Sequence, residues 1–355
     1  MTSRFAPRSA HALGSGAGED HTDGRRTVVT ARAPLRVSLA GGGTDLPSYA
    51  RRHGGSVVSI AIDRYVGVTV YPRSFDGSLR TWLEAADHVP DAAALRNPYA
   101  KAALKRSGVH SSAQLSSFSD IPSGTGLGSS AAFTVSLLHA LHHHRRPDPG
   151  ELAEAAAAIE MEDLRRPVGK HDHYMAAYGG LRLLRIGADL SVEQQSLPVP
   201  AALAAYIRDD LLLFHTGITR DAAQVLAAQS DLTERNSSGT VGSLRAIHAL
   251  AEEMRRAVLS GSVRDIGPLL HEHWTHKTRL SPRVSSDWID GLYRKALGAG
   301  ADGGKVLGAG GGGFLLLSCR PGRAADLRTV MRSAGLRELA FDLDPGGSQA
   351  GALGI

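Results

Sequence analysis

Residues 119–130 combine the residue types and the spacing that phosphate binding requires. Three glycines stand at every second position, so the backbone can come close to a ligand without steric conflict from Cβ atoms. Two serines follow where a helix is predicted to begin, and the N–H groups of a helix N-terminus attract anions. The stretch therefore indicates either a phosphate site or a tight strand-to-helix turn without a ligand. The residues concerned are Pro122, Gly124, Thr125, Gly126, Leu127, Gly128, Ser129 and Ser130.

The two most familiar phosphate loops do not fit this stretch. A Walker A loop ends in Gly-Lys-Ser/Thr, and this loop contains no lysine. The dinucleotide fingerprint requires glycine where Ser129 stands, and no acidic residue closes a strand about 20 residues later. A nicotinamide-dependent oxidoreductase is therefore disfavoured, and the pattern that does fit is Pro-x-Gly-x-Gly-Leu-Gly-Ser-Ser.

Asp172 is a candidate general base. Lys170, His171 and His173 surround it in the sequence, and a carboxylate beside an ammonium group stays ionised at neutral pH, as a general base must. The alternative interpretation is a cluster of charges on the surface. The residues alone leave both possibilities open.

Glu160 and Asp163 are candidate metal ligands. Both border the apolar face of a helix predicted over Glu151–Leu164, so their carboxylates reach toward the buried side of that helix. Carboxylate oxygens are ligands that Mg²⁺ accepts. The predicted helix therefore offers a place for a metal ion.

Two further glycine clusters lie outside this loop. In chain order, Gly41–Gly43 form the first glycine cluster, the loop is the second, and Gly308–Gly313 form the third. Gly41–Gly43 follow a predicted strand and let the backbone turn sharply before Thr44 and Asp45. Asp45 either caps the following helix or accepts hydrogen bonds from sugar hydroxyls. Gly308–Gly313 precede a buried strand, and their backbone either packs against another loop or a phosphate, or makes a plain turn.

The predicted elements divide the chain into two domains. A strand is predicted over Thr27–Ala31, and a hairpin joins strands over Ser56–Ile62 and Tyr65–Tyr71 with its turn at Asp63–Arg64. A proline-bounded segment then precedes a buried strand that begins near residue 210. The predicted organisation is a disordered extension over residues 1–26, an N-terminal domain over 27–209 and a C-terminal domain over 210–355.

Composition and charge restrict the class of protein. The chain has 355 residues, of which 42% are hydrophobic and 21% charged, which is typical of a globular protein with two domains. Cys319 is the one cysteine, so we predict no disulfide framework and a cytoplasmic location. The net charge of +5 is spread along the sequence and predicts a small anionic substrate, with no nucleic acid and no membrane as partner.

The three glycine motifs, in this order from Pro34 to Phe314, resemble the signatures of the GHMP kinases (galactokinase, homoserine kinase, mevalonate kinase and their relatives). The resemblance implies an α+β fold of two domains. The N-terminal domain would be like domain 2 of ribosomal protein S5, and the C-terminal domain would be ferredoxin-like. It also implies an enzyme that uses ATP and Mg²⁺ and transfers a phosphoryl group to a hydroxyl. We expect a monomer or a homodimer.

The resemblance also implies a role for each motif. The loop from Pro122 to Ser130 would hold the ATP phosphates, with Ser130 and Glu160 at the Mg²⁺. Asp172 would be the catalytic aspartate, with Arg36 beside it. The substrate site would be formed by Gly41, Gly42, Gly43, Thr44, Asp45, Lys170 and Gly311.

Within the family, the chain most resembles kinases of D-glycero-D-manno-heptose 7-phosphate, which make heptose 1,7-bisphosphate. Gly42 and Gly43 stand where galactokinases carry Glu-His, and their lack of side chains opens space for a longer, phosphorylated sugar. His171 and His173 stand where the family pattern has glutamines. The alternatives are a kinase of another sugar (fucose- or galactose-like), of a sugar phosphate or of a small alcohol, and a non-catalytic relative. Cations that could hold the sugar phosphate are Lys170, Arg220, Lys277 and Arg279.

Overall fold

Two β-sheets organise the chain. The structure is a computed structural model that describes residues 27–72, 75–219 and 222–354. The extension predicted over residues 1–26 lies outside the described residues, as does Arg220. The strands are β1 (Thr27–Ala40), β2 (Gly55–Tyr71), β3 (Leu79–Trp82), β4 (Ala86–Val89), β5 (Ala113–Ser119), β6 (Leu181–Ile186), β7 (Val192–Ser196), β8 (Leu211–His215), β9 (Ala301–Val306), β10 (Phe314–Cys319), β11 (Arg337–Glu338) and β12 (Gln349–Gly354).

Helices cover both sheets and supply part of the site. They are α1 (Pro47–His53), α2 (Pro98–Arg106), α3 (Ser129–Leu141), α4 (Pro149–Ala158), α5 (His171–Tyr178), α6 (Ala201–Asp209), α7 (Ala222–Glu234), α8 (Ser238–Ser260), α9 (Ile266–Lys277), α10 (Asp287–Gly298) and α11 (Ala324–Ser333). Short 3₁₀ turns lie at Ala92–Ala94, His143–Arg145 and Val263–Asp265.

The larger sheet has the strand order β12-β1-β2-β5-β3-β4, and β6 pairs with both β2 and β7. The smaller sheet has the order β11-β8-β10-β9. Every pairing is antiparallel except that of β3 with β5. The smaller sheet contains only strands that follow residue 210, whereas the C-terminal strand β12 returns to the larger sheet.

The predicted hairpin at Asp63–Arg64 is wrong, because β2 runs without a turn from Gly55 to Tyr71. Its register against β1 pairs Leu35 with Ile62 and Pro34 with Tyr65, which leaves Asp63 and Arg64 as extra residues in a bulge. Pro34 lies at this break, where the N–H that proline lacks is not needed. The polar dipeptide therefore marks a bulge within one long strand.

The helix predicted over residues 151–164 is only partly correct. Asp148 caps α4 with a capping box, and the α-helix ends at Ala158. A π-helical turn follows over Ile159–Asp163, in which the hydrogen bonds close over five residues instead of four. The wider turn changes the directions of the side chains, and it separates Glu160, which is buried, from Asp163.

The smaller sheet is buried on both faces. Alternate side chains of β8 point to opposite sides, so Leu213 joins the core of the larger sheet while Leu212 and Phe214 join a second core. Helix α3 packs on β1 and β2, and helix α8, which comes much later in the sequence, packs on the same two strands. The loops that bear the glycine motifs thus start from elements anchored in the core.

Candidate active site

The loop from Pro122 to Ser130, called the phosphate-type loop below, leads into α3 as the sequence predicts. Gly124, Gly126 and Gly128 have φ values of +73°, +85° and +79°, which L side chains rarely adopt. Gly128 is the N-cap residue of α3, and no side chain caps this helix end. The first N–H groups of a 13-residue helix therefore face the loop without a capping partner, which is the arrangement that binds anions.

A cavity of about 700 Å³ opens beside this loop. Its wall combines the loop with residues of the first glycine cluster, of the segment around Asp172 and of the third glycine cluster. The predicted site residues that line it are Arg36, Gly42, Gly43, Asp45, Pro122, Gly124, Gly126, Gly128, Ser129, Ser130, Glu160 and Asp172.

Arg36 and Asp172 form a two-point ion pair at the cavity wall. The guanidinium donates from Nε to Oδ1 at 2.8 Å and from Nη2 to Oδ2 at 2.7 Å. Its third nitrogen donates to the carbonyl of Gly126 at 2.6 Å, which connects the pair to the phosphate-type loop. Burial alone would raise the pKa of Asp172, but the charge of Arg36 and the contact with His171 at 3.0 Å lower it well below its usual range. Asp172 is therefore an anion at any physiological pH.

Glu160 lies in a separate group of polar side chains. Its carboxylate accepts a hydrogen bond from Tyr99 at 2.9 Å and lies 2.7 Å from Nε2 of His173. Ser130 also hydrogen-bonds to it. Burial would raise the pKa of Glu160, and these hydrogen bonds outweigh that effect and lower it. The structure thus brings together Ser130 and Glu160, which the resemblance places at the metal.

Asp163 does not belong to this group. Its carboxylate pairs with Arg106 at 2.5 Å on the surface. The π-helical turn is the reason, because it directs Glu160 inward and leaves Asp163 outside the cavity wall.

Asp45 is not a helix cap. Helix α1 has Leu46 as its N-cap residue and no side-chain cap. The Asp45 carboxylate instead accepts from the backbone N–H of Gly43 at 3.2 Å and of His171 at 3.4 Å, so it joins the first glycine cluster to the start of α5. Gly169 packs so close that a Cβ there would lie 2.0 Å from the carboxylate.

The third glycine cluster supports the phosphate-type loop. A Cβ at Gly126 would lie 2.9 Å from the carbonyl of Leu307, and one at Gly313 would lie 2.3 Å from the carbonyl of Thr125. Phe314 donates its N–H to the same Thr125 carbonyl at 3.2 Å. Side chains at these positions would push the two loops apart.

Several predicted site residues lie behind the cavity wall. The hydroxyl of Thr44 donates to the backbone carbonyls of Gly41 and Ser56, and that of Thr125 donates to Pro122, so both threonines hold loop backbone. Lys170 pairs with Glu154 at 2.6 Å and turns away from the cavity. Gly41, Thr44, Thr125, Leu127, Lys170 and Gly311 are outside its lining.

Lys277 is buried and does not face the cavity. Its Nζ donates to the carbonyls of Val306 at 2.8 Å and Gly308 at 2.6 Å, so it holds the start of the third glycine cluster. Burial, with the nearby charge of Arg36, lowers the pKa of Lys277 to about 7. Arg279 is exposed and is outside the cavity lining.

Among the residues of the wall that sequence reasoning does not single out are Tyr99 and Arg166. The hydrogen bond from Tyr99 to Glu160 links residues far apart in sequence, and no local pattern predicts it. Pro167 was a usable signal, since it marks the segment that brings Arg166 back to the cavity.

The chemistry of the residues present fits a magnesium ion. Glu160 and Ser130 supply hard oxygen donors beside the phosphate-type loop, and Mg²⁺ in phosphotransferases takes only one or two protein ligands besides phosphate and water. Over residues 27–72, 75–219 and 222–354, no group of three or more His, Cys, Asp or Glu side chains forms a cage for a metal.

None of the helices in the described part of the chain has the length and apolar character that crossing a membrane requires.

Two family signatures match the chain. Residues 94–180 match the GHMP kinases N terminal domain, and residues 250–336 match the GHMP kinases C terminal domain. The first range contains the phosphate-type loop, Glu160 and Asp172, and the second contains Lys277 and the third glycine cluster.

The chain is similar to curated relatives over most of its length. The chain is 28% identical to D-glycero-alpha-D-manno-heptose 7-phosphate kinase of Campylobacter jejuni, over 86% of this chain and 93% of that protein. It is also 28% identical to L-fucokinase/L-fucose-1-P guanylyltransferase of Bacteroides fragilis, over 84% of this chain but 35% of that longer protein.

The fold matches solved structures as well. A D-glycero-D-manno-heptose 1-phosphate kinase from Bacteroides thetaiotaomicron superposes with a TM-score of 0.75, covering 91% of this chain and 98% of that one at 22% identity. The expected two-domain fold is thereby confirmed. The chain carries both the N-terminal and the C-terminal domain of the GHMP kinases, a family of phosphotransferases.

Proposed function

We propose that the chain is an ATP-dependent sugar kinase that phosphorylates the anomeric hydroxyl of D-glycero-D-manno-heptose 7-phosphate to give heptose 1,7-bisphosphate. The observation that carries the proposal is the Arg36–Asp172 pair, held against the phosphate-type loop in one cavity with the side-chain-free Gly42 and Gly43. The 28% identity to a heptose 7-phosphate kinase over 93% of its length supports this choice of acceptor.

The donor nucleotide would bind at the loop from Pro122 to Ser130. Phosphate oxygens accept hydrogen bonds from backbone N–H groups, and the uncapped N-terminus of α3 offers such groups at its positive end. The three positive-φ glycines bring the backbone close enough for this contact. ATP is the phosphate donor of the family, so we assign the loop to its phosphates.

The acceptor hydroxyl would lie against Asp172. In the reaction a bond forms between the acceptor oxygen and the γ-phosphorus, the bond from that phosphorus to the bridging oxygen breaks, and ADP leaves. The hydroxyl proton must move off the acceptor oxygen, and Asp172 is the carboxylate available to orient and take it. Because Arg36 lowers its pKa, Asp172 is a weak base, which suits a loose transition state in which the proton leaves late.

Glu160 and Ser130 would hold Mg²⁺ at the donor end. The ion, when bound, neutralises charge that develops on the phosphate oxygens. Tyr99 and His173 keep the Glu160 carboxylate in a fixed direction, so the ligand is oriented before the ion binds.

The shape of the cavity bears on the identity of the acceptor. Gly42 leaves space at the acceptor end, since a Cβ there would have only Ser38 Oγ within 4 Å, whereas the Gln229 side chain fills the space beside Gly43. The opening at Gly42 suits a sugar with a seventh carbon and a phosphate. Of the four cations predicted to hold that phosphate, Lys170, Lys277 and Arg279 are outside the cavity lining, and Arg220 lies outside the described residues. Binding of the phosphate by Arg220 therefore stays a prediction.

An activity screen with ATP and a panel of sugars tests the proposal. Heptose 7-phosphate and its dephosphorylated parent form the decisive pair. Two charge-assisted hydrogen bonds to the phosphate, at about 1.5–3 kcal/mol each, correspond to a factor of about 10²–10⁴ in kcat/KM. Equal efficiency on the two sugars would exclude the sugar-phosphate acceptor. Phosphorylation of fucose or galactose at a higher rate would favour the second candidate, a free-sugar kinase, for which the identity to L-fucokinase speaks.

A further inference from the structure

Arg166 is a cation in the cavity wall that the proposed reaction has not used. The π-helical turn and the bend after it return this residue toward Glu160, because its backbone N–H donates to the Glu160 carbonyl at 2.8 Å. Its side chain lines the cavity and is partly exposed to it. The backbone thus fixes Arg166 beside the donor end.

The other basic groups in the cavity wall already have anionic partners. Arg36 and His171 contact Asp172, and His173 contacts Glu160. Among the described residues that line the cavity, Arg166 is the cation without a carboxylate within salt-bridge distance. A guanidinium in a phosphate-type cavity with no internal counter-ion is available for an external anion.

Tyr99 fixes the direction of Arg166. The guanidinium carbon lies 5.3 Å from the centre of the Tyr99 ring, which is within the range of a cation–π contact. The same tyrosine donates to Glu160 and hydrogen-bonds to Ser130. Arg166 therefore shares one rigid unit with the two residues proposed to hold Mg²⁺, at the end of the cavity where the terminal phosphates of a nucleotide would lie.

We propose that Arg166 binds the terminal phosphates of the nucleotide, next to Ser130 and Glu160. This inference rests on the proposed function and adds a residue to its donor site. The planar fork of arginine matches phosphate oxygens at two points, so the contact would supply both charge and orientation.

The test is nucleotide binding without a sugar, measured by calorimetry on the full chain with Mg²⁺. The probes are β,γ-imido-ATP, which carries three phosphates, and AMP, which carries one. Arg166→Gln should weaken binding of the imido analogue about 10- to 100-fold, the worth of a charge-assisted bond, and change AMP binding less than about threefold. Arg166→Lys should fall between the wild-type chain and Arg166→Gln, since it keeps the charge but loses the fork.

Arg165→Gln is the matched control, because Arg165 is the neighbouring arginine and is exposed outside the cavity lining. It should bind both probes as the wild type does. Unchanged binding of the analogue by a folded Arg166→Gln variant would overturn the inference, and so would an equal loss for AMP. A raised KM for the acceptor alone would also overturn it. Failure of the wild-type chain to bind the analogue would instead refute the proposed function.

Discussion

Asp172 and Glu160 are two carboxylates in one cavity with different neighbours. Asp172 contacts the permanent charge of Arg36, whereas Glu160 contacts a tyrosine, a serine and a histidine. Environments that differ in this way give two acids separate roles. The proposed roles follow: an anion that orients the acceptor, and a ligand prepared for a metal.

Asp172→Asn should abolish most of the turnover. We expect kcat to fall by about 10²–10⁴, the usual contribution of a general base, while nucleotide binding persists because the phosphate-type loop is retained. The variant should also lose about 1–3 kcal/mol of unfolding free energy, since the buried Arg36 keeps only a neutral partner. Steady-state kinetics and a thermal melt measure the two effects. Near-normal turnover would show that the reaction needs no carboxylate at this position.

Glu160→Gln and Ser130→Ala should each raise the Mg²⁺ concentration needed for half-maximal activity. Each substitution removes an oxygen donor of the proposed metal site. We expect a change of about tenfold or more, which is typical when a metal site loses a ligand or a residue that supports a ligand. A magnesium titration at fixed ATP measures it.

Asp163→Asn is the matched control for the metal prediction. Asp163 lies three residues from Glu160 but pairs with Arg106 on the surface, so its loss should leave the magnesium requirement unchanged. Greater sensitivity at Asp163 than at Glu160 would place the metal on the other side of the π-helical turn.

At the scale of elements, local pattern predicts what is built from neighbouring residues. The glycine loop and the start of α3 depend on backbone freedom and on a run of apolar residues at helical spacing, and both were predicted correctly. The bulge at Asp63–Arg64 and the π-helical turn at Ile159–Asp163 were missed. Each changes the hydrogen-bond register by a residue or two but keeps the pattern of apolar residues. The sequence alone therefore does not distinguish the bulge from a turn, or the π-helical turn from a continued α-helix.

Lys277 shows that a charged residue in the sequence does not always lie on the protein surface. It ends α9, where a lysine is usually solvated, yet its Nζ donates to the carbonyl of Val306 at the end of β9 and to that of Gly308, which begins the third glycine cluster. Those carbonyls come from residues about 30 positions later, and only the tertiary fold brings them to the helix end. Lys277, predicted from the sequence as a ligand of the substrate phosphate, thus stabilises the third glycine cluster. That cluster in turn packs against the phosphate-type loop.

Lys277→Met should change how stability depends on pH. Burial lowers the pKa of Lys277 to about 7, whereas an unfolded lysine titrates near 10.4, so between these values the unfolded chain binds a proton that the folded chain does not. The free energy of unfolding therefore rises with pH across this window, by up to about 1.4 kcal/mol per pH unit for this group. The methionine variant should show a flatter rise.

Denaturant unfolding between pH 7 and pH 10 measures that slope. Lys295→Met is the control, because Lys295 is exposed on α10 and should leave the slope as it is in the wild type. Buried Lys305, whose pKa is also lowered by burial, contributes its own rise in all three proteins. Equal slopes for the wild type and Lys277→Met would mean that Lys277 is charged in the folded chain.

At the scale of the whole molecule, the cavity depends on residues from both ends of the chain. Arg36 and Asp172 come from the range that matches the N-terminal family domain or precedes it, whereas Gly308 and Ala309 close the cavity from the C-terminal part. The order of the three motifs made this meeting predictable through the resemblance. The distances, and the burial of Thr44 and Lys277 behind the wall, required the structure.

The division of the chain at residue 210 stays a prediction, and the C-terminal strand gives a way to examine it. β12 leaves the C-terminal part and pairs with β1 over six residues, from Thr27 with Gly354 to Arg32 with Gln349. Most of its side chains are exposed, so it contributes backbone hydrogen bonds more than apolar burial. None of its residues lines the cavity.

A chain that ends at Ser348 should therefore keep its activity and lose stability. We expect kcat/KM within about threefold of the full chain and a loss of about 1–3 kcal/mol, since several net hydrogen bonds of about 0.5–1.5 kcal/mol each disappear. For a chain of this size that corresponds to a fall in Tm of a few degrees, and the exposed edge of β1 should promote association. Calorimetry measures the loss of stability, and light scattering measures the association.

Gln349→Ala is the control, because it removes only the side-chain hydrogen bond from Arg32 and should melt as the full chain does. Loss of nucleotide binding on truncation would mean that β12 shapes the active site through β1 and Arg36.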